Sequence, residues 1–196
     1  SSESGHIAVD PLKQHCTYSG ALGSYHGTGP LMLKHDKISG QVDMVTVWPD
    51  VTGHTNKERK YRFGWDQPII FSSHHQNRLL TAANVIFESY NEGKSWTEIS
   101  PDLTRNDPDH IEVSSSDTTS DKPRNKWESA PKNKIAPFER CYISALGESP
   151  TDKNVLWAGT DDGTIQLTKD NSKTWTNVSP KNLEPWTPVW NIEPSY

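Results

Sequence analysis

The chain has 196 residues, 32% of them hydrophobic and 23% charged, a length that permits a sizeable core and gives no reason of its own to divide it. Its net charge of −5 comes without a basic cluster, which excludes the electrostatic footprint of a nucleic-acid binder. No apolar run reaches the length of a membrane span, so the segment is expected to be soluble; 14 prolines and 12 glycines scattered along it favour short strands and polar turns, an all-β fold, over long helices.

In chain order, residues 1–60 carry strand-like runs at His6–Val9, His15–Gly20, Leu31–Lys34 and Val42–Trp48, with turns at Asp10-Pro11 and Ser39-Gly40, and then a connecting loop. Residues 61–104 repeat the rhythm at Pro68–Phe71, Arg78–Ala82, Val85–Ser89 and Ser95–Ile99. Residues 105–134 have no strand rhythm and centre on the polar run Ser114 to Asp121, which marks an insertion whose first half is expected to be disordered. Residues 135–185 give strands at Cys141–Leu146, Val155–Gly159, Ile165–Thr168 and Thr174–Val178, with Asp161-Asp162-Gly163 supplying the tight hairpin turn. Residues 186–196 begin a first strand again, because Glu193-Pro194-Ser195 falls where Glu148-Ser149-Pro150 falls in the unit before.

Two of these units align along their length. Asn77 to Asn84 followed by Val85 to Pro101 matches Asn154 to Asp161 followed by Thr164 to Pro180, with one short gap at a turn. Four-stranded units in tandem are blades of a β-propeller, which closes radially and leaves few edges unpaired. About three blades plus the first strand of another cannot close a ring, so the expectation is a partial propeller whose remaining blades lie elsewhere in the polypeptide.

The turns before the two aligned tryptophans resemble the Asp box, Ser-x-Asp-x-Gly-x-x-Trp. In such a turn a carboxylate or amide accepts backbone N–H bonds, glycine takes a positive φ, and the indole packs back over the hairpin. Ser89-Tyr90-Asn91-Glu92-Gly93-Lys94-Ser95-Trp96 has Asn91 for the aspartate and keeps Gly93 and Trp96. Thr168-Lys169-Asp170-Asn171-Ser172-Lys173-Thr174-Trp175 keeps Asp170 and Trp175 but has Ser172 for the glycine. That change costs on the order of 1–3 kcal/mol if Ser172 is held at positive φ, unless Asn171 takes the left-handed position instead. These boxes, with Tyr61-Arg62-Phe63-Gly64-Trp65 and Trp96 to Asp107, resemble sortilin-like and BNR-repeat proteins, bacterial members of which are often labelled glycosyl hydrolases. The resemblance implies an extracytoplasmic propeller and leaves activity open, since the repeats are structural.

Ligands of propellers sit at the central channel or on one face, which draws attention to the loop bearing Tyr61, Arg62, Trp65 and Asp66. These groups form a contact for a peptide, protein or glycan, or else the aromatic residues pack between blades while Arg62 pairs with a carboxylate. Glycoside hydrolysis needs two carboxyl groups across the scissile bond, for which Asp43, Asp66, Glu139 and Glu148 are the possible members, none in a catalytic motif. Sialidase chemistry is not expected without an Arg-Ile-Pro signature. His74-His75 has no third ligand nearby and Asp161-Asp162-Gly163 lacks the alternating carboxylates of a calcium loop, so neither a metal nor another cofactor is expected. Cys16 and Cys141 form no framework and are left either as buried thiols or as a pair. A binding or scaffold module resembling sortilin-type receptors, a hydrolase fragment, and purely structural repeats remain as readings. Only the first two predict a ligand.

Overall fold

The computed structural model describes residues 6–22, 30–48, 60–64, 66–111 and 141–195. Twelve strands form three four-stranded antiparallel sheets, each a meander in chain order. The first holds β1 (Ile7–Val9), β2 (Cys16–Leu22), β3 (Pro30–Asp36) and β4 (Val42–Met44). The second holds β5 (Ile69–Phe71), β6 (Leu79–Ala82), β7 (Ile86–Ser89) and β8 (Thr97–Glu98). The third holds β9 (Ile143–Glu148), β10 (Leu156–Thr160), β11 (Ile165–Thr168) and β12 (Thr176–Asn177). One helical turn, α1 (Pro108–Ile111), lies in the region expected to be a polar insertion, where Ile111 is buried; residues 112–134 lie outside the described residues.

The sheets stack face to face through apolar side chains from alternate strand positions. Tyr18, Met32 and Val45 of the first meet Ile69 and Leu79 of the second, and Leu80, Ala82 and Ile86 of the second meet Ile143, Leu156 and Ala158 of the third. The indole of Trp96 reaches back to the preceding blade, its Nε1 donating to the Val45 carbonyl at 3.0 Å. Trp175 packs at the equivalent place against the second blade, but its Nε1 is buried without a partner among the described residues.

The outermost strands are shorter than expected, and the reason recurs in every blade. Past β4, β8 and β12 one more backbone bond forms, from Val45 to Met32, Ile99 to Ile86 and Val178 to Ile165. A hydroxyl then accepts the next amide of the inner neighbour: Thr46 Oγ1 from Met32, Ser100 Oγ from Ile86, Ser179 Oγ from Ile165, at 2.8–3.1 Å. The side chain replaces the carbonyl that a continuing strand would offer, and Pro101 and Pro180 follow with no amide to give. At the other end of each blade the first hairpin is capped alike. Asp10 Oδ1, Ser72 Oγ and Ser149 Oγ each accept two amides, from the residues two and three further on.

Both Asp-box turns carry two successive residues at positive φ, Glu92 (64°) with Gly93 (80°) and Asn171 (56°) with Ser172 (66°). Asn91 Oδ1 accepts the Ser95 amide and Asp170 Oδ1 the Thr174 amide, both at 2.9 Å. The side-chain bond from Thr174, with its amide, holds the Asp170 carboxyl down to about 2. Cys141, expected to open a strand, instead stands at φ 65° just before β9; it and Cys16 are buried free thiols.

Residues 189–195 carry no ladder strand among the described residues. They lie against the third sheet, where the Val189 amide donates to Thr160 and its carbonyl accepts Ser144 Oγ at 2.7 Å. The approach is close enough that a Cβ on Gly159 would stand 2.4 Å from the Val189 side chain.

Candidate functional site

In a meander the β1–β2 and β3–β4 turns of each sheet lie at one end, and the β2–β3 turn and the connection to the next sheet lie at the other. The connection end carries the loop singled out in the sequence. Tyr61 stands edge-on to Phe87 of β7 with ring centroids 4.8 Å apart, and Phe63 stacks on Phe87 at 6.1 Å. The Tyr61 hydroxyl donates to Glu98 of β8 at 2.9 Å; burial, and then that acceptor, push the phenol up from its ordinary value. Trp48, left 40% exposed, meets Tyr61 edge-on at 5.7 Å. The Lys60 ammonium lies 4.1 Å from the Trp48 ring and 4.9 Å from Tyr61. An exposed aromatic group is thus fixed on a packed aromatic base with a cation already on its face.

Arg62 is placed differently. It is buried, with Nε donating to the Cys141 carbonyl at 3.0 Å and Nη2 to Asp102 at 2.5 Å and Thr104 at 3.1 Å. Asn84 joins the same knot, accepting the Arg62 amide and donating to Asp102. Burial works to raise the Asp102 carboxyl, but the bond from Thr104 and the Arg62 charge outweigh it and hold it below its usual range. The guanidinium, buried and bonded through Nε and Nη2, therefore ties the second blade to the third. Asp66 is half-buried, and no hydrogen bond or ion pair engages its carboxylate among the described residues. Trp65, the remaining named group, lies outside the described residues; Tyr61 and Asp66 stand as candidate contacts, and no bond or ring contact joins those two. The sequence marks Trp48 only as the end of a strand, and its ring contact with Tyr61 joins residues too far apart in the chain for a local pattern to signal.

The other carboxylates are engaged in structure. Glu148, at the end of β9 with its side chain covered, accepts from Ser72 Oγ at 2.8 Å, the Ser73 amide at 2.7 Å and Arg78 at 3.4 Å, while Arg78 also holds Glu88 at 2.8 Å. Buried Asp162 accepts from Thr160 and from the Arg105 amide. Asp43 lies on outermost β4 with Gln41 donating to it, and Glu139 lies outside the described residues. His74 Nε2 sits 2.8 Å from the Ser149 carbonyl, a contact that braces one hairpin cap against another.

No family model and no curated protein matches the chain. Among solved structures it is similar to the GH74 xyloglucanase from Xanthomonas campestris, at 15% identity and a TM-score of 0.50, over 85% of this chain and 20% of that one. An ancestral GH74 enzyme is similar at 14% identity and a TM-score of 0.56, over 95% of this chain and 21% of that one. The chain spans about a fifth of the length of these propeller structures. With three stacked four-stranded meanders, the likeness defines the class: the chain is part of a β-propeller. No helix among the described residues is long and apolar enough to cross a membrane.

Proposed function

We propose that the chain is part of an extracytoplasmic Asp-box propeller, akin to sortilin-type receptors, that binds a peptide, protein or glycan ligand at its connection end, with further blades of the same polypeptide completing the ring. The observation that carries this reading is the exposed Trp48, seated on Tyr61 and covered by the Lys60 ammonium. A rigid aromatic surface of this kind loses little conformational entropy on binding, and a ligand cation or sugar C–H face can take the place of Lys60. Asp66 adds an unengaged carboxylate at the approach to β5. Of the carboxylates that hydrolysis could use, Glu148 is saturated by protein donors. Asp43 and Asp66 belong to opposite edges of neighbouring sheets, outermost β4 and the lead-in to innermost β5. That favours binding over the alternative, a glycoside hydrolase fragment. Arrays of glycans and peptides probed with the wild-type chain and with Trp48→Ala and Tyr61→Ala test the proposal. Saturable binding that both variants weaken supports it; no binding, or binding that neither variant changes, sinks it.

A further inference from the structure

At the hairpin end of the first blade, away from the proposed ligand surface, three unlike donor groups meet. His15, Cys16 and Asp36 each place one ligand atom so that all three lie within 4.8 Å of one another. Cys16 and Asp36 are direct cross-strand partners of β2 and β3, and His15 sits in the turn just before β2, where the backbone is not extended and adjacent side chains can converge. We propose that these residues form a site for a borderline-soft divalent cation, zinc foremost, held by one imidazole nitrogen, one thiolate and one carboxylate oxygen.

The backbone under each donor is pinned. Lys37 donates to the His15 carbonyl at 2.9 Å, the Cys16 amide to Lys13 at 2.6 Å, and the Asp36 amide to Gln41 at 2.9 Å. Asp36 Oδ1, the oxygen that lies 4.0 Å from His15 Nε2, accepts the amides of Ile38 and Ser39 at 2.8 and 3.3 Å, which fixes the orientation of the carboxylate beside the ring. The His15 ring and the Cys16 sulfur have no hydrogen bond among the described residues; the ring's one polar approach is to Asp36, at 4.0 Å. Nothing in the fold therefore claims them.

The mixed nitrogen, sulfur and oxygen set suits zinc better than magnesium or calcium, which demand oxygen. Metal–ligand bonds of about 2.0–2.3 Å put tetrahedral ligands roughly 3.3–3.8 Å apart, so the present spacing must close by about 1 Å. The two donors that would move are the freer ones, with 38% and 30% of their side-chain surface exposed, whereas Cys16 is 2% exposed. The burial of the sulfur also disfavours a thiol nucleophile, which a substrate could not reach, while an ion needs only the open side between His15 and Asp36. Three protein ligands leave a fourth position for water. Binding displaces the thiol proton to solvent as the metal–sulfur bond forms, with no change of oxidation state. Lys13 and Lys34, the lysines whose charge reaches the Cys16 thiol, are both held by Glu92.

Cobalt(II) titrated into the chain tests the site. The expected result is one equivalent bound with a thiolate-to-cobalt charge-transfer band, displaced by zinc, absent in Cys16→Ser and retained in Cys141→Ser. His15→Asn and Asp36→Asn change half-exposed side chains and keep the fold, and each should weaken binding at least about tenfold, the lower bound that even outer partners of a metal site contribute. A wild-type titration without a thiolate band, a band that follows Cys141, or affinity unchanged in both His15→Asn and Asp36→Asn overturns the proposal.

Discussion

Gly93 and Ser172 hold the same position in successive Asp boxes, both at positive φ, and only one is a glycine. Both residues before them are left-handed as well, so the alternatives of Asn171 or Ser172 in that region resolve into both. Ser172→Gly should therefore raise stability by about 1 kcal/mol, the release of one strained residue, read as a shift in urea midpoint at constant slope. Gly93→Ala should lower it by at least as much, since its Cβ would also stand 2.8 Å from Val45. Equal midpoints for the two variants would contradict the strain argument. Charge at this turn is equally local. The Lys13 ammonium, with Lys34, pulls the Glu92 carboxyl down to about 2 from its ordinary 4.5, tying the second blade's turn to the first blade. A depressed carboxylate stabilises fully above its unfolded-state value and loses that contribution as pH falls through its folded one. The stabilisation from Glu92 should be intact above about pH 4.5 and vanish toward pH 2, and Glu92→Gln should flatten that part of the profile of urea midpoint against pH.

At the scale of elements, the pattern of apolar runs and turn residues located every strand within a few residues, because period-two burial and Asp, Ser and Gly turns act locally. Where the outermost strands stop was also encoded, in Ser100-Pro101 and Ser179-Pro180, but it became legible only once Ile86 and Ile165 were seen to donate to those hydroxyls. The candidate site was less legible. Arg62 and its partners Asp102 and Cys141 are 40 and 79 residues apart in sequence, so the choice between a contact residue and an inter-blade tie is made by packing that no local window contains. The tryptophans separate the same way. Trp96→Phe loses the bond to Val45 and should cost about 1 kcal/mol more than Trp175→Phe, whose indole nitrogen has no partner among the described residues. Thermal or urea unfolding of the two variants measures the difference, and equal losses would mean that the Val45 bond contributes nothing.

For the molecule as a whole, three stacked sheets leave two ends. Ile7, Val9 and Met44 are exposed on the first blade, and residues 189–195 cover part of the third. Buried Arg62 and Arg78 and buried Asp162 serve the joins between and within blades: Arg62 with Asp102, Arg78 with Glu88 and Glu148, Asp162 with Thr160 and the Arg105 amide. That distribution is what favours the proposed binding surface over the alternative of a glycoside hydrolase fragment. The most direct test measures binding and release of reducing ends together, on one sample of the chain with a panel of β-linked polysaccharides, beside Asp66→Asn. The account predicts no release above background in either protein, including with any glycan that binds saturably. Release by the wild type that disappears in a folded Asp66→Asn would contradict it and make Asp66 a catalytic acid.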